Sequence, residues 1–137
     1  MRITTTIIAS IFFLAGALAI QNPSFAQGSC EGGPDTYKLM IHVNENRPTR
    51  VTHKGDDATD FEVCIGDSIE WQLVGSAKQF YLDFVAGAPF AGASNQHSAN
   101  GKVQVSIGGS AAPGARYKYD VGIVDGGVLD PVIIIRE

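Results

Sequence analysis

Gly66-Asp67-Ser68-Ile69-Glu70-Trp71-Gln72-Leu73 decides the fold. Gly-Asp is a turn signal, and the residues after it alternate. Ile69, Trp71 and Leu73 fall on one face, Ser68, Glu70 and Gln72 on the other. A period of two marks a strand with one buried and one wet face. Just upstream, Phe61-Glu62-Val63-Cys64-Ile65 alternates in the same way. Further back, Tyr37, Leu39, Ile41 and Val43 share a face of a strand predicted over residues 37–44. Residues 44–48 read as a turn or loop, 51–53 as a short strand and 54–57 as a turn.

Downstream, Gly75-Ser76 breaks the pattern, and Phe80, Leu82 and Phe84 set the next strand. Residues 86–101 read as a long loop rich in Gly, Ala and Asn, long enough to be functional or to hold a short element. Val103, Val105 and Ile107 mark a strand, and residues 108–114 a small-residue loop. Residues 117–124 read as one strand and Asp125-Gly126-Gly127 as a tight turn. Residues 132–135 are apolar on both faces, so that strand should lie centrally in a sheet or between layers. No segment carries a helical period. Seven or eight short strands between turn signals predict an all-β sandwich, antiparallel or mixed.

The chain of 137 residues is long enough for one domain. Apolar residues make up 45% of it, which supplies a core and rules out wholesale disorder. The formal net charge is −4, so there is no positive excess to neutralise phosphates, and nucleic acid is not an expected partner. Residues 1–26 read as a secretory signal peptide. Arg2 gives the positive start, and residues 7–20 are apolar or small apart from Ser10. Ser24-Phe25-Ala26 offers small residues at the cleavage positions. Ala17-Leu18-Ala19 is the alternative site. The apolar run is short of the roughly 20 residues that a membrane span needs. The expected mature domain is residues 27–137, exported to the periplasm or the extracellular space, with no membrane span.

Cys30 and Cys64 are the only cysteines. An even pair in an exported chain reads as one disulfide. They stand 34 positions apart, for which the chain-entropy model gives roughly 3–4 kcal/mol of stabilisation. A lipid-modified Cys30 is the competing reading, but Gln27-Gly28-Ser29 lacks the apolar residue such a signal wants. No histidine stands at metal-site spacing from either cysteine.

Gly66-Asp67-Ser68-Ile69-Glu70-Trp71 resembles the G-D-x-V-x-W strand of cupredoxins. Tyr117-x-Tyr119, followed by Val121-x-Ile123-Val124, resembles their Y-x-Y-x-C region, and residues 129–135 resemble the closing strand of bacterial cupredoxin-like domains. The resemblance covers residues 37–137 and implies a Greek-key β-sandwich. In the family, two His, one Cys and an axial Met hold type-1 copper. The first His position falls on Gln79, or on Phe80 after a one-residue shift, and the Cys position falls on Val121. After Ser98 there is no His, Cys or Met at all. The resemblance therefore implies the fold without blue-copper electron transfer.

The remaining candidates have weak spacing. His42, His53 and His97 are the only histidines, and with Asp56, Asp57 or Asp60 they would suit copper or zinc if they met. The acidic run from Asp56 to Glu62 lacks the order of a calcium loop and reads as a solvated turn. Asp83 and Asp120 would form a carboxylate pair only if their strands were neighbours. No Gly-x-Ser-x-Gly or phosphate loop occurs, so no enzyme activity is expected. Trp71 reads as core. Phe90 is either a partner anchor or a plug for the end of the sandwich. The expectation is a non-catalytic binding or interaction module without a cofactor, taking an unidentified protein or small-molecule partner. The alternative is a divergent copper- or zinc-binding protein using the three histidines.

Overall fold

The computed structural model describes residues 30–108 and 110–137. The expected signal peptide, residues 1–26, lies outside the described residues. Twelve strands follow in order: β1 (Thr36–Asn44), β2 (Arg47–His53), β3 (Asp56–Asp57), β4 (Asp60–Val63), β5 (Ser68–Val74), β6 (Phe80–Asp83), β7 (Asn95–His97), β8 (Lys102–Ser106), β9 (Arg116–Lys118), β10 (Asp120–Ile123), β11 (Val128–Leu129) and β12 (Val132–Ile135). The all-β class is as expected. Eight of these strands have four residues or more; of the four shorter ones, β3, β7 and β11 were not marked by the periodicity, and β9 falls at the start of the strand expected over residues 117–124. Among the described residues no helix is long and apolar enough to cross a membrane.

The strands form three sheets, ordered β3-β2-β1-β5-β8, β11-β10-β6-β7 and β4-β12-β9. The first is one layer; the other two provide the opposing inner surface. β1 lies antiparallel to β2 and parallel to β5. Parallel neighbours need a crossover, and here β3 and β4 supply it, with β4 leaving to pair with β12 in another sheet. The alternation read from the sequence is the inward face. Leu39, Ile41, Val51, Ile69 and Trp71 from the first sheet meet Phe80, Leu82, Val121, Ile133 and Ile135 from the other two, all nearly inaccessible. β12 is the central strand of its sheet, as its two-sided apolar run requires.

Two expectations need correction. Residues 117–124 are not one strand: β9 pairs with β12, and β10 pairs with β6. The break falls at Tyr119, whose ring is fully buried. Its hydroxyl accepts the Trp71 indole N–H at 3.0 Å, and its own backbone N–H donates to the Pro131 carbonyl at 3.0 Å. An indole N–H buried without an acceptor is costly, so the chain turns between sheets to supply one. Second, the turn expected over residues 44–48 is present but confined to two residues, with Asn44, Arg47 and Pro48 in strands. Glu45 and Asn46 both have positive φ, 48° and 64°, and make a two-residue turn that starts β2 at Arg47.

Burial raises the Tyr119 hydroxyl well above its ordinary 10.0, the Trp71 hydrogen bond opposing weakly. The folded phenol keeps its proton where the unfolded chain has lost it. This stability is therefore complete below pH 10 and is lost as pH rises beyond it. Tyr119→Phe should cost about 1–3 kcal/mol at neutral pH by orphaning the Trp71 N–H. It should also flatten the decline in urea midpoint above pH 10. Urea titrations of both proteins across that range check the prediction.

Candidate functional site

The register fixes two poles of the sandwich. Thr36, Ser68 and Ser106 share one end of the first sheet, and the opposite end carries the β1–β2 turn. At that second end the turn meets the segment from Val124 to Gly127. Asn46 Nδ2 donates to the Asp125 carbonyl at 2.9 Å, and the Gly127 N–H donates back to the Asn46 carbonyl at 3.1 Å. The two turns border an open cleft of about 490 Å³, lined by Asn44, Glu45, Arg47 and Asp125 among others. Its lining is polar and of mixed charge, suited to hydrogen bonding. Asn46 Oδ1 is buried there without a hydrogen-bond partner among the described residues. Gly126 is required by this approach, because a Cβ would collide with the Asn46 carbonyl.

The first family His position, Gln79, lies at the same pole. Its carbonyl accepts the Val124 N–H at 3.3 Å. Phe80 and Val121 are both fully buried in the core. The residue beside Gln79 is therefore Val124, three positions past Val121.

The structure does not bring the three histidines together. His42, on β1, shares a hydrogen bond of 2.8 Å with the Thr52 hydroxyl. His53, on β2, packs edge-on to Tyr37 and tilted against Phe61, and its Nδ1 lies 3.0 Å from the Lys38 carbonyl. A carbonyl only accepts, so Nδ1 carries the hydrogen. His97 sits in another sheet beside Tyr81. Among the described residues no group of three His, Cys, Asp or Glu is arranged to hold a metal ion.

The acidic run is occupied locally. Asp57 accepts the Thr59 hydroxyl at 2.8 Å, Asp60 pairs with Arg116 at 3.0 Å, and Glu62 pairs with Arg136 at 3.3 Å. Asp83 and Asp120 are direct partners across β6 and β10. Phe90 plugs the sandwich, 5% exposed and edge-on to Phe84 at 5.2 Å.

Cys30 and Cys64 are bridged, with their Cα atoms 5.7 Å apart. The bridge lies at the first pole, beside Asp67. One Asp67 carboxylate oxygen accepts the Cys64 N–H at 2.7 Å, and the other accepts the Asp35 N–H at 2.9 Å. The Tyr37 hydroxyl lies close by and is raised, chiefly by burial and then by the charges of Asp67 and Asp35.

No protein-family model matches the chain, and no curated protein matches it. Similar solved structures include amicyanin mutants. A reduced Cu(I) form shows 12% identity over 72% of this chain and 82% of that one, with a TM-score of 0.44. An oxidised form shows 12% identity over 72% and 81%, with a TM-score of 0.42.

Gly126→Ala should force the two turns apart and cost about 1–3 kcal/mol by overpacking. The amide of Gly127, bonded to Asn46, should lose hydrogen-exchange protection, while amides of β5 keep theirs. Exchange measured residue by residue on both proteins checks this.

Proposed function

We propose that this chain is an exported, non-catalytic sandwich of cupredoxin type that lacks a type-1 copper site and acts as a binding module. The donor chemistry carries the reading. The positions matching the family's ligands offer an amide, a phenyl ring and an isopropyl group at Gln79, Phe80 and Val121. None is a thiolate or an imidazole, which type-1 copper requires. No His, Cys or Met follows Ser98 to supply a replacement from later in the chain. These residues do not fit the metal, and no electron-transfer step is derived through it.

The binding role rests on the opposite quality of the same pole. Asn44, Glu45, Arg47 and Asp125 present hydrogen-bonding groups of both charges around an open cleft. The turns that carry them are held by backbone bonds rather than left loose. Such a rim suits a polar ligand, or a polar loop of a protein partner, held by several directional contacts. The Cys30–Cys64 bridge agrees with export to an oxidising compartment.

Calorimetric titration of the purified domain with cupric and zinc salts tests the proposal. Neither ion should bind as one tight equivalent, and cupric salt should give no intense blue colour. One tight equivalent that is lost in His42→Ala, His53→Ala or His97→Ala would establish the alternative, metal handling by the histidines, and end this reading.

A further inference from the structure

The chain passes from β7 in one sheet to β8 in another through a tight turn at Asn100-Gly101. Ala99 and Lys102 close it with a reciprocal pair of backbone bonds, 2.9 and 3.2 Å. Asn100 and Gly101 both have positive φ, 52° and 77°, the conformation that two-residue hairpin turns demand. Both residues are exposed. No hydrogen bond engages the Gly101 N–H or the Asn100 side-chain amide among the described residues. Nothing lies within 4 Å of where a Gly101 Cβ would stand.

We propose that Asn100 is a site of spontaneous covalent modification, converting to aspartate and isoaspartate by attack of the Gly101 amide on its side chain. The Gly101 nitrogen gives up its proton to base and bonds to Asn100 Cγ. The bond from Cγ to Nδ2 breaks, and ammonia leaves carrying a proton from water. Water then opens the cyclic imide at either carbonyl. One opening gives aspartate, the other isoaspartate, with the side-chain methylene now in the main chain. One water is consumed and one ammonia released, with no change of oxidation state.

The chain contains its own control. Asp125-Gly126 likewise places a side-chain carbonyl carbon one residue before a glycine, also in a turn with positive φ. There, however, the Gly126 N–H donates to the Ile123 carbonyl at 2.9 Å, and the Asp125 carbonyl is held by Asn46. The nucleophile is engaged and the linkage clamped, so that site should stay intact. Asn44, Asn46 and Asn95 precede Glu, Arg and Gln, whose side chains obstruct the attack that glycine leaves open. Conversion at Asn100 places a carboxylate two residues from Lys102, which already reaches Glu70 at 3.3 Å. The isoaspartyl form lengthens the turn by one backbone atom and undoes the match between Ala99 and Lys102.

The folded, disulfide-bonded protein is aged in mildly alkaline buffer made with heavy-oxygen water, then digested with trypsin. The peptide of residues 79–102 should gain about one dalton plus the label, fragmentation should place it on Asn100, and Asn95 in the same peptide should be unchanged. Asp125 should show no isoaspartate. Gly101→Asn, which keeps a residue tolerant of positive φ but adds a Cβ, should suppress the conversion while leaving the circular dichroism spectrum unaltered. An intact Asn100 amide in the folded protein, under conditions where the urea-unfolded chain converts, would overturn the proposal. So would equal conversion at Asn95, or a Gly101→Asn chain that ages as fast as the parent.

Discussion

A buried indole must hand its N–H to something, and the arrangement of this sandwich follows from how that demand is met. Trp71 sits in the middle of β5 with no exposure. Its acceptor is a hydroxyl 48 positions further along the chain. To deliver it, the backbone leaves the β9–β12 ladder at Tyr119 and joins β6 one residue later. The Tyr119 ring then stacks on Phe84, with centroids 4.8 Å apart, and Phe84 in turn meets Phe90 edge-on. One hydrogen bond thus ties together the first sheet, the switch between the other two and the anchoring of the long loop. Aromatic pairs of these geometries add roughly 0.5–1.5 kcal/mol each beyond their burial.

Much of this was legible in the amino-acid order. Alternation marked the inward faces of β1, β5, β6 and β8 because a half-buried strand can hide only every second side chain. The two-sided apolar run placed β12 centrally for the complementary reason. The even pair of cysteines was read as one disulfide, and Cys30 and Cys64 are bridged. What escaped was set by contacts distant in sequence. β7 reads Asn-Gln-His and has no apolar face, so only its partner β6 makes it a strand. The division at Tyr119 could not be seen, because residues 117–124 alternate straight through it, and the reason for the break lies on another sheet.

The candidate site was less legible still. Gln79 and the turn at residues 125–127 were marked by resemblance and by glycine. Asn46 was not singled out. Its part depends on a side-chain bond to Asp125, 79 residues away. The histidines were named as residue types and turned out to have separate duties. One bonds a threonine, one packs in a trio of rings, and one lies on a different sheet. Residue identity alone cannot distinguish a ligand from a hydrogen-bonding surface histidine, because both need only an imidazole in a wet place.

The bridge at Cys64 and the carboxylate of Asp67 fasten the segment that begins at Cys30, and the Arg136 N–H donates to the Val63 carbonyl beside them. Both ends of the described chain are therefore anchored at the pole away from the Asn46 turn. The described chain therefore begins and finishes beside one bridge, on the side opposite the cleft, so the two turns that border the cleft carry no chain terminus among the described residues.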